Sequence, residues 1–230
     1  MPLFFSGASV QQMLLQILSR ALVAFFILPV HEFAHAWAAN KLGDSTARWQ
    51  GRMTLNPMAH LDPIGTVLLV LTGFGWAKPV PINPYNFKNR KYGMALSALA
   101  GPASNIVVAL LLTILYKILA YTFIITGLAN VWFLQVLLAI ISSMAWVNVS
   151  LAVFNLIPVP PLDGSRIATL FLPECIYFKI MEYERYIVLV LFALIFVGAL
   201  DGVLGFLADK VMDFINLLSS FVDVIGRMFL

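Results

Sequence analysis

The sequence predicts an all-α membrane protein that crosses the bilayer several times, with about four to six membrane helices, a re-entrant segment and a small membrane-associated β element. Of its 230 residues, 61% are hydrophobic and 11% are charged, against about 25% charged in an average soluble domain. Long apolar runs alternate with short polar loops, and the basic residues are concentrated in a few of those loops. The small net charge of +3, with no basic cluster, excludes a nucleic-acid partner.

The apolar runs give the order of the elements along the chain. A first helix is predicted from about Val10 to Ala39, followed by a polar segment to about Asp62. The later spans and the C-terminal amphipathic helix are predicted at about Tyr92–Tyr121, Val131–Phe154, Tyr186–Leu200 and 202–230. Within the second span, Ser97, Gly101 and Asn105 recur every four residues. Small residues at that spacing indicate close helix packing.

The re-entrant segment is predicted from length and from charge. Pro63–Phe74 is apolar, but its 12 residues are too few to cross a hydrocarbon core of about 30 Å. Loop Thr122–Asn130 carries no charge, whereas three other segments are basic. Their basic residues are Lys41, Arg48 and Arg52, then Lys78, Lys88, Arg90 and Lys91, then Arg166, Lys179 and Arg185. All three segments can be cytoplasmic only if Pro63–Phe74 enters and leaves on one side, with the N-terminus outside.

The β element is predicted from a period of two. From Thr46 to Leu55, polar and apolar residues alternate over ten positions, which favours a strand. Such a strand can bind an extended peptide by β-addition. It can equally be part of a hairpin on the membrane surface that binds no peptide, and the sequence does not decide between the two.

The sequence H-E-F-A-H, from His31 to His35, is the clearest chemical signal. Residues four apart share one face of a helix, so the two imidazoles can hold one metal ion, and zinc is the usual ion for such a pair. Glu32 lies beside them and can take a proton from a metal-bound water. Ionisable groups are costly inside an apolar span and are usually functional there. The motif therefore predicts a metal centre.

A catalytic zinc ion usually has three protein ligands, so a third must come from elsewhere in the chain. Four residues are candidates: Asp44, His60, Asp62 and Asp163. Asp163 follows N-L-I-P-V-P-P-L-D-G, where prolines and a glycine break the helix. The charge-based topology puts this break and the end of the first helix on the same side. Spacing alone does not decide between Asp163 and its rivals.

Taken together, these motifs resemble the site-2 protease family of intramembrane zinc metalloproteases. H-E-F-A-H and the later L-D-G carry the resemblance, with N-P-M-A-H-L-D-P-I-G, G-W-A-K-P-V-P-I-N-P-Y-N-F and A-G-P-A-S-N between them. The resemblance covers roughly Pro29 to Ile167 and implies one zinc ion per chain. It implies His31, His35 and Asp163 as zinc ligands, Glu32 as the catalytic glutamate, and Asn155 as a residue that positions the substrate or the oxyanion.

The resemblance also implies partners and a location. The expected substrate is a transmembrane protein, cut within or next to its membrane segment in regulated intramembrane proteolysis. The chain is expected to be one domain, residues 1–230, with core motifs at 29–167 and no PDZ or CBS domain. It is expected in the plasma or inner membrane, with the active site near the cytoplasmic side. The alternative is a membrane metal-ion transporter that uses the same His and Asp residues as a transit site.

Overall fold

The computed structural model describes residues 10–72 and 75–229, and these are mostly helical. A π-helical turn, Val23–Ile27, joins the first two α-helices, and 3₁₀ turns lie at Pro57–Ala59 and Pro84–Asn86. The helices are α1 Val10–Leu22, α2 Leu28–Lys41, α3 Thr46–Trp49, α4 Pro63–Thr72, α5 Arg90–Ile125, α6 Trp132–Asn155, α7 Asp163–Ala168, α8 Glu174–Glu182, α9 Glu184–Val197, α10 Asp201–Leu218 and α11 Ser220–Arg227.

Among residues 10–72 and 75–229, three helices are long and apolar enough to cross a bilayer: Gln16–Lys41, Arg90–Ile125 and Trp132–Asn155. A fourth span is possible if α9 and α10 count as one, although they are bent by 83° at the break between them. The predicted number was about four to six membrane helices, and only the count of four, with α9 and α10 taken as one span, reaches the lower end of that range. The long spans themselves lie where the apolar runs predicted them, because runs of about 20 apolar residues are the strongest signal that a membrane leaves in a sequence.

The first span contains a π-helical turn immediately before its metal-binding motif. Pro29 lies in the first turn of α2, and a proline inside a regular helix clashes with the carbonyl of residue i−4. A π-helical turn at Val23–Ile27 removes that conflict by widening the helix there. Phe25 and Phe26, both within the turn, are exposed on the outer surface. The turn thus sets the face on which α2 presents His31 and His35.

The predicted β element is wrong. Thr46–Trp49 is a short helix instead, and Gly51 ends it with a φ of +67°. Local hydrogen bonds outweigh the alternating pattern: the Thr46 N–H donates to the carboxylate of Asp44, and the Arg52 N–H donates back to the Ala47 carbonyl. Within residues 10–72 and 75–229 there is no sheet, and the isolated bridge between Leu61 and Ala77 is the β pairing that the structure shows.

Asp44 ties the end of α2 to the proline-rich loop that precedes α5. Its buried carboxylate accepts hydrogen bonds from the backbone N–H of Asn83 at 2.7 Å and the side-chain amide of Asn86 at 2.7 Å. It also accepts the N–H and the hydroxyl of Thr46. Burial by itself would raise the pKa of Asp44, but these hydrogen bonds outweigh it and lower the pKa.

The Asp44 contacts predict a stability that depends on pH. Because the pKa of Asp44 is lower in the folded state than in the unfolded one, ionised Asp44 stabilises the fold above the unfolded pKa of about 3.9. This contribution is lost as the pH falls through the folded value. We expect Asp44→Asn to reduce the free energy of unfolding by about 2 kcal/mol at pH 7. In thermal unfolding in detergent, the gap should persist at pH 5 and shrink towards pH 3. An equal gap at pH 7 and pH 3 would contradict this role.

The chain segments before and after the short apolar helix α4 lie next to each other. Leu61 bridges to Ala77, and the Lys78 N–H donates to the His60 carbonyl at 2.7 Å. A Cβ on Gly65, near the start of α4, would lie 2.2 Å from the Trp76 carbonyl oxygen. The two flanks of α4 are therefore adjacent. At the far end of α4, Arg20 of α1 donates to the Leu71 carbonyl at 3.4 Å, and a basic group is favourable at a helix C-terminus.

Helix α5 is the centre of the bundle and packs against α2, α6 and α7. Further along, Ala109 of α5 forms a buried cluster with Val149 and Val153 of α6 and Ala208 and Ile215 of α10. The predicted C-terminal helix is divided at Ser219 into α10 and α11. Helix α11 turns back onto α5, where its Asp223 accepts a hydrogen bond from Lys117 at 2.6 Å.

Candidate metal centre

Three side chains from two separate parts of the chain meet at one point. His31 and His35 lie one turn apart on α2, and Asp163 is the first residue of α7. Nε2 of His31 lies 3.0 Å from Nε2 of His35, and Oδ2 of Asp163 lies 3.3 Å from each of them. These ligand atoms are close enough to share one metal ion. Within the described part of the chain, this is the group of His, Cys, Asp or Glu residues that could hold a metal.

The local sequence explains how Asp163 reaches the histidines. Prolines between α6 and α7 end the helix and turn the chain back, and Gly164 then packs closely against the end of α6. A Cβ at Gly164 would lie 2.3 Å from the carbonyl oxygens of Leu156 and Ile157, so only glycine permits this approach. On the other side, Leu162 is buried in an apolar cluster with residues of α9. Asp163 is thus fixed by its two neighbours in sequence.

The triangle of ligand atoms fits zinc. Ligands at about 2.0–2.2 Å from a tetrahedral zinc ion lie roughly 3.3–3.6 Å from one another, close to the distances of 3.0, 3.3 and 3.3 Å measured here. Oδ2 of Asp163 is buried and has no hydrogen-bond partner. A buried carboxylate oxygen without a partner is costly, and a cation at the centre of the triangle removes that cost. The donor set of two imidazoles and a carboxylate is one that catalytic zinc sites use.

Helix α5 orients the two imidazoles. Nδ1 of His35 donates to the Ser97 carbonyl at 2.7 Å, which leaves Nε2 free to bind a metal. One turn further along, Gly101 lies against both rings: a Cβ there would be 2.3 Å from Nε2 of His35 and 2.6 Å from Cε1 of His31. The sequence indicated that this face of α5 packs closely, but it did not identify α2 as the neighbour.

Gly101→Ala should disturb the metal centre directly. The added methyl group must displace at least one imidazole, because the ring of His35 is held at its other side by Ser97. Displacing a ligand should cost at least as much as losing an outer partner of one, which typically costs about 10–100-fold in affinity. We therefore expect at least tenfold weaker zinc binding, measured by metal analysis after dialysis against a chelator. Gly202→Ala is the matched control, because Gly202 is also helical but has nothing within 4 Å of the added carbon. Parent-like zinc retention in Gly101→Ala would show that the rings are not confined there.

Glu32 is held in place by one backbone N–H. Its Oε2 accepts a hydrogen bond from Val80 at 3.1 Å, and the carboxylate is nearly buried. Val80 lies between Pro79 and Pro81, which have no N–H, so within this P-V-P segment it supplies the backbone donor, while the Lys78 N–H donates to the His60 carbonyl. Sequence reasoning missed this contact. The lone donor between two prolines is the signal by which it could have been found.

The rival third ligands have other partners. Nε2 of buried His60 donates to the Thr54 carbonyl at 2.7 Å. Asp62 accepts the Gly65 N–H at 2.8 Å and so caps the start of α4. Asp44 accepts the four hydrogen bonds described above. None of the three belongs to the cluster around His31, so the geometry favours Asp163 among the four candidates.

Asn155, the residue expected to position the substrate, lies at the end of α6 and is half-buried. Its side-chain amide donates to the Leu151 carbonyl, one turn earlier in the same helix, at 3.0 Å. The contact is internal to α6 and neither supports nor opposes a role at the metal. The assignment of Asn155 stays a prediction.

Comparisons with known proteins agree with this arrangement. The pattern of peptidase family M50 matches residues 20–202. A Bacillus subtilis protein that carries the provisional name zinc metalloprotease YwhC is 39% identical over 164 residues, which are 68% of this chain and 70% of that protein. A Mycolicibacterium smegmatis protein provisionally named zinc metalloprotease Rip2 is 31% identical over 145 residues, 60% of this chain and 51% of its own length. No solved structure gives a significant match.

Proposed function

This chain belongs to peptidase family M50, the site-2-type zinc metalloproteases, and we propose that it cuts membrane-protein substrates within or next to a transmembrane segment. It is a zinc-dependent metalloendopeptidase embedded in a membrane.

We assign His31, His35 and Asp163 as the ligands of one zinc ion per chain, because their three ligand atoms form a triangle of the right size. A bound zinc ion supplies Lewis acidity and lowers the pKa of water towards about 7. Glu32 then accepts the proton of the attacking water and passes it to the leaving amine. The Val80 N–H holds Oε2 of Glu32 in one orientation, which leaves the other oxygen for the proton transfer.

The depth of the cluster supports a substrate inside the membrane. His31 is 10 residues from Lys41, the end of a 26-residue span, and a helix rises 1.5 Å per residue. The cluster therefore lies roughly 15 Å from that end. Because a 26-residue helix is about 39 Å long and the hydrocarbon core about 30 Å thick, a centred span places the cluster roughly 10 Å inside the core, nearer to the end at Lys41. A peptide bond can reach this depth most readily as part of a membrane segment. Because a helix hides its carbonyls in internal hydrogen bonds, the substrate must unwind locally before it is cut.

A transporter would need several ligand groups along a path through the membrane. The residues described here contain a single His/Asp cluster, and transport gives no role to Glu32. We therefore favour a protease over a metal-ion transporter.

A cleavage assay tests the proposed substrate class. Purified protein in detergent would be mixed with single-span substrates, and with soluble peptides of the same sequences lacking the span, followed by mass analysis of the fragments. We expect cuts within or next to the span. Cleavage of soluble peptides alone would make the enzyme an ordinary endopeptidase, and cutting of neither set by zinc-loaded protein would sink the proposal.

The adjacent flanks of α4 also support a re-entrant segment, with the three basic loops on the cytoplasmic side and the active site near that side. In a Cys175→Ser background, single cysteines at Lys41, Lys88 and Lys179 should be shielded from an impermeant thiol reagent outside intact cells. A cysteine at Gly127, in the uncharged loop, should react. Labelling at position 88 alone would mean that Pro63–Phe74 crosses the bilayer.

A further inference from the structure

Asn105 is a buried side chain whose hydrogen-bonding capacity is unused. It is 1% exposed, and within the described part of the chain neither its amide nitrogen nor its amide oxygen has a hydrogen-bond partner. The large majority of buried side-chain polar atoms are hydrogen-bonded, so such a group calls for an explanation. Other buried or half-buried asparagines differ: Asn148 donates to the Met144 carbonyl and Asn155 to the Leu151 carbonyl, each within α6.

The position of Asn105 on α5 places it next to the metal centre. Ser97, Gly101 and Asn105 follow one another at four-residue intervals on one face. The Ser97 carbonyl binds His35, and Gly101 lies against the rings of His35 and His31. Side chains on a helix lean towards its N-terminus and cover the preceding turn. The side chain of Asn105 therefore leans towards Gly101, whose backbone lies against both imidazoles.

A purely structural role does not account for this amide. Polar residues between membrane helices usually stabilise packing by hydrogen bonds to the neighbouring helix. Asn105 makes no such bond, although α5 packs against α2, α6 and α7. Without a partner, the amide costs folding free energy that an apolar side chain of the same size would not. A group that is kept at such a cost beside a reaction centre is a candidate for binding the reactants.

We propose that Asn105 is a catalytic residue whose Nδ2 donates a hydrogen bond to the oxygen of the scissile carbonyl as negative charge develops on it. The inference rests on the proposed function and adds to it a second polar group, beside Asn155, for the reacting carbonyl. Preorganised donors at such an oxygen act in a site shielded from water and are worth about 10²–10³ in kcat. The Oδ1 of the same amide can accept an N–H of the unwound substrate.

The central test is Asn105→Leu, which keeps the volume and removes both amide atoms. We expect folded, zinc-loaded protein of equal or higher thermal stability, with kcat on a single-span substrate reduced about 10²–10³-fold. Asn148→Leu is the matched control, since Asn148 is also buried on a membrane helix and has one unpartnered amide oxygen. Its kcat should stay within a few-fold of the parent. Asn105→Ala serves as a second variant if leucine does not fit.

A second readout does not depend on cleavage. A peptidyl hydroxamate binds zinc through oxygens that take the place of the reacting carbonyl and water, and its dissociation constant can be measured by calorimetry. We expect at least tenfold weaker binding to Asn105→Leu or Asn105→Ala than to the parent or Asn148→Leu. If the parent binds the hydroxamate but cuts no substrate, the proposed function fails while the role of Asn105 is still decided. Parent-like hydroxamate affinity, or loss of zinc in both Asn105 variants, would overturn the proposal.

Discussion

Glu32→Gln is expected to leave a folded protein that retains its zinc but cuts about 10²–10⁴-fold more slowly. Glutamine has the size of glutamate, and its carbonyl oxygen can still accept the Val80 N–H that Oε2 accepts now. The position of the side chain should therefore be kept, while the group that takes the proton from water is lost. Because binding of the substrate is untouched, uncut substrate is expected to co-purify with the variant.

The measurement pairs metal analysis with the rate of fragment formation from a single-span substrate. Glu182→Gln is the matched control, since it makes the same chemical change at an exposed glutamate on α8 and should cut like the parent. His31→Ala gives the contrasting pattern, with zinc and cleavage lost together. Cleavage by Glu32→Gln within tenfold of the parent rate would remove Glu32 from the reaction.

The sequence predicted well those features that depend on a local period. The three long spans follow from uninterrupted apolar runs, and the pairing of His31 with His35 follows from a spacing of four residues on one helix. Both signals lie within about 30 residues of chain and need no knowledge of the neighbouring elements. The resemblance to the site-2 proteases rested on the same local motifs and is borne out by the family match over residues 20–202.

The failed β prediction shows how local hydrogen bonds, held in place by a tertiary contact, can override an alternating pattern of polar and apolar residues. The alternation from Thr46 to Leu55 is real, but a strand needs a partner for its backbone groups. Here the carboxylate of Asp44 takes the Thr46 N–H and starts a helical turn instead. Asp44 in turn is fixed by Asn83 and Asn86, about 40 residues further along the chain. A pattern within ten residues contains no information about that contact.

The contacts around the metal centre could not be predicted from the sequence either, because they join residues that are far apart along the chain. The spacing of Ser97, Gly101 and Asn105 indicated a packed face, but the identity of its neighbour depends on how α5 crosses α2. The contact of Val80 with Glu32 joins residues 48 positions apart. Spacing alone likewise left the third ligand open, because Asp163 and its rivals differ only in where the folded chain places them, and only the resemblance implied Asp163.

Asp163→Asn is the test of that third ligand, and we expect it to lose zinc and cleavage together. The amide keeps the shape of the carboxylate but presents a neutral oxygen to the cation, so the site loses its one negatively charged ligand. The loss of an outer partner of a metal ligand already costs about 10–100-fold in affinity, and the loss of a ligand should cost more. Folding itself should survive, because the ion pairs that the described residues make with Asp163 are those of its buried Oδ2 with His31 and His35.

The comparison with His60 makes this prediction decisive. His60 is fully buried and binds the Thr54 carbonyl, so His60→Ala should lower thermal stability while zinc content stays at one per chain. Asp213→Asn, at an exposed residue of α10, is the control for the change of charge. Metal analysis of the four proteins, before and after dialysis against a chelator, separates the possibilities. If Asp163→Asn kept its zinc and its activity while His60→Ala lost both, His60 would be the ligand, and the triangle formed with His31 and His35 would have to be abandoned.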